Sequence, residues 1–140
     1  MEKDFLPYEE SYQLMKLGYN EPCLKYTPIL MADARNPPFE SDWYVLEKKL
    51  GLPLFSQAFR WFREKHNWQN SIDPTADQHS HQLGYNYWIW NYKTGEEHHT
   101  VPKNRPSGDW EYETYEEAEL ACIKKLIQIV KEQQYEWRKI

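Results

Sequence analysis

The sequence predicts an α+β fold: a small antiparallel sheet, built from a hairpin and one or two short strands, packed with about three helices in a single domain over residues 1–140. Three observations carry that reading. Apolar residues recur with helical spacing in three separate segments. An aromatic, strand-like run from Tyr85 to Tyr92 leads into a glycine-bearing turn and a second extended run. The length of 140 residues suits one domain, which buries about two-thirds of the surface its unfolded chain exposes.

The first helix is predicted from Pro7 to Leu17. Pro7 suits a helix start, and Glu9 and Glu10 favour the positive end of the helix dipole. Tyr8, Tyr12 and Met15 share a face that Leu14 and Leu17 widen, and Gly18 supplies a left-handed stop. After a turn at Asn20-Glu21-Pro22, Cys23 to Thr27 reads as a short strand limited by Pro28. Residues 31–42 read as a loop around Asn36-Pro37-Pro38. Trp43 to Leu50 fits a short helix capped by Asp42 or an edge strand, ended by Gly51 and Pro53.

Phe55 to Lys65 is the clearest helix. Phe55, Ala58, Phe59 and Phe62 form its apolar stripe, and Arg60 and Glu64 have ion-pair spacing. Asn67 to His81 is polar, contains Pro74, and reads as a long connecting loop. In the strand that follows, side chains alternate between faces. Tyr85, Tyr87, Ile89 and Asn91 share one face, and Asn86, Trp88, Trp90 and Tyr92 the other. One face must cover a core, which leaves two Trp and a Tyr under a second layer or on a binding surface. Lys93 to Glu96 is a hairpin turn, Glu97 to Val101 the return strand, and Trp110 to Glu113 a third strand candidate. Thr114 and Glu117 have capping-box spacing before a C-terminal helix through Val130, whose last residues, Gln133 to Ile140, either extend it or fray.

Aromatic residues make up 16% of the chain and the net charge is −5. That charge argues against long nucleic acid as a partner, since such binding relies on Lys and Arg at phosphates. Cys23 and Cys122 read as two thiols in a reducing cytoplasm. The charged start and the lack of a long apolar run predict neither a signal peptide nor a membrane span. No nucleophile elbow, phosphate loop or dinucleotide fingerprint is present, so the sequence calls for no catalytic residue and no cofactor.

His79-Ser80-His81 has a spacing that places two imidazoles on one strand face, the start of a metal site. His98-His99 stands too far away to complete it. A turn at Thr94-Gly95 sets His98 opposite Asn91, and His81 lies ten residues back along that strand, on the order of 30 Å. Exposed polar histidines are the plainer reading. Arg60, Trp61 and Arg63 form the densest basic-aromatic cluster. Trp61 lies off the apolar stripe, either exposed to bind a phosphate, a nucleobase or an acidic partner surface, or packed beneath the 67–81 segment.

Three blocks resemble an uncharacterised family of short proteins from gut bacteria, their prophages and phages: Tyr8-Glu9-Glu10 through Leu17-Gly18-Tyr19-Asn20-Glu21-Pro22-Cys23, Phe55 to Lys65, and Thr114 to Cys122. The resemblance brings no activity and no catalytic residues. It implies a mobile-element setting. The resulting expectation is a non-enzymatic cytoplasmic accessory protein, with counter-defence as its sharper form. It would bind a protein partner or a small ligand, such as a nucleotide, through Trp61, Arg60 and Arg63, with Trp88, Trp90 and Tyr92 next. The alternatives are a metal-assisted hydrolase using the histidines and a structural, homo-oligomeric phage component.

Overall fold

Residues 2–29, 49–76, 81–100 and 110–139 are described by a computed structural model, in which the chain's contacts fall into two units, Met1–Phe55 and Ser56–Ile140. The expected loop at 31–42, most of Trp43–Leu50, and His79 lie outside the described residues. The α+β prediction holds: three helices and two small antiparallel sheets stand among the described residues.

In the first unit, α1 spans Tyr8–Lys16 and β1, Lys25–Pro28, pairs antiparallel with β2, Lys49–Leu52. Glu9 and Glu10 occupy the first turn of α1, and the Gln13 side-chain amide donates to Glu9 at 2.9 Å. The helix stops because Gly18 turns left-handed, at φ 111°. Its N–H then reaches the Met15 carbonyl at 3.0 Å, and that of Tyr19 reaches Leu14 at 3.1 Å, satisfying two terminal acceptors in a Schellman motif. Tyr12 packs with Leu50 and Leu52 of β2, and Phe5, Tyr8, Met15 and Ile29 close around them. Gly51, expected to end an element, instead lies within β2 opposite Tyr26.

The second unit contains most of α2, Phe55–His66, and three strands in the order β3-β4-β5: Trp68–Ala76, Leu83–Asn91 and Glu97–His99. It ends in α3, Tyr115–Lys139, which extends the predicted helix through most of the tail. The polar stretch read as a loop is therefore mostly a nine-residue strand. Asn67, at φ 63°, turns the chain directly from α2 into it. Among the described residues β3 pairs only with β4, as an edge strand does, where polar residues and Pro74 are tolerated.

The β4–β5 turn is longer than a two-residue hairpin. Gly95, at φ 79°, donates to the Asn91 carbonyl, and the Asn91 N–H bonds Glu96. The buried Asn91 side chain accepts from the Lys93 and Thr94 N–H groups and donates to the His66 carbonyl. His98 consequently pairs with Ile89 rather than Asn91. That slip of two residues preserves the face on which every side chain lies. Of the third strand candidate, only a bridge between Tyr112 and Tyr85 forms.

Helix α3 begins at the predicted cap, where the Glu117 N–H donates to Thr114 Oγ1 at 3.1 Å. Ala118, Cys122, Ile123, Leu126 and Val130 are buried on its inner side, and it packs on β4 and β3. It covers the sheet face of Tyr85, Tyr87 and Ile89. Tyr115 meets Tyr85 edge-on at 5.8 Å, and Cys122 lies close enough to Tyr87 to bear on its ionisation. Trp68, Ile89 and Asn91 are buried on this same face.

Candidate functional site

With α3 on one side of the sheet, the other side carries the Trp88 row. Strand alternation and cross-strand pairing place Gln69, Ser71, Asp73 and Thr75 of β3 on that face. Gly84, Asn86, Trp88 and Trp90 of β4 join them, with Glu97 and His99 of β5. Trp88 is 43% exposed, and its ring centroid lies 4.9 Å from that of Trp90, the planes tilted by 41°. Tyr92 is 61% exposed just beyond the strand end, its hydroxyl donating to Asn67 Oδ1 at 2.9 Å. Two indoles thus form a touching pair on the sheet surface, with an exposed phenol just beyond the strand end.

The far end of the row has a wall. A Cβ added to Gly84 would fall inside the Trp110 indole, 2.5 Å from Cε3 and nearer still to Cδ2 and Cγ, so that ring lies directly on Gly84. Asn86 fixes the junction. Its side-chain oxygen accepts from Thr100 Oγ1 at 2.9 Å and from the Glu111 N–H at 3.0 Å. Trp110, 2% exposed, bounds the open face at the Gly84 end.

The rim is polar and acidic. Glu97 stands directly across from Trp90, and Ser71 and His99 flank Trp88 on either side. Asp73, one step along the same face of β3, accepts from Ser71 Oγ at 3.0 Å. No Lys or Arg stands among the paired residues of these three strands that share this face.

The predicted basic-aromatic cluster fares differently. Trp61 is not exposed: it is 4% accessible, packed edge-on against Phe62 at 5.1 Å and His66 at 4.8 Å. The apolar arc of α2 simply extends past Phe55, Ala58, Phe59 and Phe62 to include it, covering about 160° at roughly 100° per residue. Arg60 is exposed and Arg63 half-buried, so the two cations have no exposed indole between them. Burial beside these rings holds the His66 imidazole below its usual pKa.

His81 is exposed at φ 58°. His98 is tied to Glu96 by a 2.7 Å contact and lies on the opposite face from His99. Among the described residues no cluster of three or more His, Cys, Asp or Glu is arranged to hold a metal. Burial raises the pKa of both thiols, Cys122 the more strongly, so neither is an activated thiolate. Cys23 lines a groove of about 410 Å³ in the first unit, with Met15, Tyr19 and Tyr26 beside it.

Sequence reasoning missed Trp110 as a wall and β3 as a source of rim residues. The apolar Trp68 and Ile72, on one face of a strand, were the available signal, set within otherwise loop-like composition. Compared with protein-family models, curated proteins and solved structures, the chain matches none.

Proposed function

We propose that this protein is a non-enzymatic binding protein whose recognition surface is the open sheet face of Trp88, Trp90 and Tyr92. One observation carries the reading: the touching Trp88–Trp90 pair stands on the face opposite the helix-covered one, with Trp88 43% exposed. Exposed apolar patches with polar rims mark interaction sites, and Trp and Tyr dominate the energetics of such sites. The raised thiol pKa values remove the nucleophile a thiol enzyme would need. The resemblance to phage and mobile-element proteins supplies the setting, a small accessory protein with counter-defence among its roles.

A protein partner fits this face better than a nucleotide. Phosphate recognition needs Arg or Lys beside the stacking rings, whereas these strands supply carboxylates there. The experiment is a titration. A partner captured on the immobilised full chain is purified and titrated against wild type, Trp88→Ala, Trp90→Ala and, as an exposed control on α3, Tyr135→Ala. The reading expects both Trp variants to weaken binding and Tyr135→Ala to leave it intact. Binding indifferent to both Trp changes would remove it. The same exposed row supports one other reading, a homo-oligomer closed face to face, in which light scattering shows a multimer that Trp88→Ala dissociates.

A further inference from the structure

Resting on that reading of the open face, we infer that its occupant is an arginine-bearing polypeptide segment, with a guanidinium stacked on the Trp88–Trp90 pair and forked onto Glu97 or Asp73. Charge complementarity is the first ground. Every fully charged side chain on the paired strands of this face is a carboxylate, and the whole chain carries −5. Such a surface attracts cations and repels phosphates and acidic peptides.

Geometry is the second ground. Glu97 faces Trp90 directly, and Asp73 stands diagonally from Trp88, at the roughly 7–8 Å separation of diagonal sheet neighbours. A planar cation lying on the indoles is thus within reach of a carboxylate on either side. Guanidinium suits this better than ammonium, because it stacks flat on an aromatic ring and offers a rigid fork to a carboxylate. The row is also long enough for an extended segment. From Gly84, where Trp110 sits, to Tyr92 the face runs about 27 Å at 3.4 Å per residue.

The test titrates the full chain, by intrinsic fluorescence and calorimetry, with a short capped peptide of alternating glycine and arginine. Parallel titrations use the citrulline analogue (same shape, no charge), the glutamate analogue and adenosine monophosphate. The arginine peptide should bind, the citrulline analogue about tenfold more weakly, the scale of one desolvated cation–π contact. Trp88→Ala should abolish binding. The double variant Asp73→Asn/Glu97→Gln should weaken arginine-peptide binding and narrow, without closing, the arginine–citrulline difference, while keeping the wild-type melting temperature. Equal binding of arginine and citrulline peptides, or tighter binding of the glutamate peptide or the nucleotide, overturns the arginine inference. If Trp88→Ala still abolishes that binding, the open-face reading survives. Arginine binding that ignores Trp88→Ala also overturns the inference. So does failure of the arginine peptide to bind at millimolar concentration, and if the chain then self-associates through Trp88, the occupant is a second copy.

Discussion

Gly84→Ala places one methyl group where the structure has an indole. The new Cβ would sit 2.5 Å from Trp110 Cε3 and closer to two further ring carbons, against an ordinary contact distance of about 3.5–4.0 Å. The ring must retreat by more than about 1 Å, yet Trp110 is 2% exposed and anchored through Asn86 and the Tyr85–Tyr112 bridge. Overpacking with partial relaxation costs about 1–3 kcal/mol. Complete expulsion forfeits about 150–250 Å² of aromatic burial, or about 4–6 kcal/mol at 25 cal/mol per Å². A value near 3 kcal/mol lowers the melting temperature by roughly 6–12 °C in a chain of this size. Calorimetry gives the shift, and tryptophan emission should move to the red as Trp110 meets water. A melting temperature within about 1 °C of wild type, with unchanged emission, would refute the placement of Trp110 on Gly84.

The remaining predictions use simpler assays. In denaturant melts, Trp61→Ala should cost about 3–5 kcal/mol, as a fully packed aromatic does. Trp88→Ala leaves a gap that water fills and should cost clearly less. Gly18→Ala meets open space but a backbone at φ 111°, so it should destabilise by about 1–2 kcal/mol through conformation alone. Burial beside Tyr112, Cys122 and Glu111 pushes the Tyr87 phenol from 10.0 up to about 12. The folded state therefore holds that proton more tightly, and the resulting stability is present below pH 10 and lost as pH rises towards 12. Tyr87→Phe should flatten that fall in stability–pH curves followed by far-ultraviolet circular dichroism.

The helices were legible because their signals are local. The Gly18 stop, the Thr114 cap and the apolar stripe of Phe55, Ala58, Phe59 and Phe62 each depend on residues within a turn or two. β3 was not legible, because an edge strand needs few apolar residues and draws its stability from pairing with β4. Trp61 could be read as exposed or as packed for a related reason. A stripe drawn through the strongest positions says nothing of how far neighbouring elements extend the buried arc. The faces of β4 followed directly from alternation, but which face stays open depended on where α3 docks, and that contact is entirely non-local.

The most direct measurement is site-resolved solvent accessibility of the tryptophans, by fluorine NMR of the full chain labelled with 5-fluorotryptophan and titrated with a soluble paramagnetic agent. Single Trp→Phe variants assign the resonances. An open face predicts strong relaxation of the Trp88 signal, less for Trp90, and little for Trp61, Trp68 and Trp110. A Trp88 signal as protected as that of Trp68, in a chain that light scattering shows to be monomeric, would contradict it.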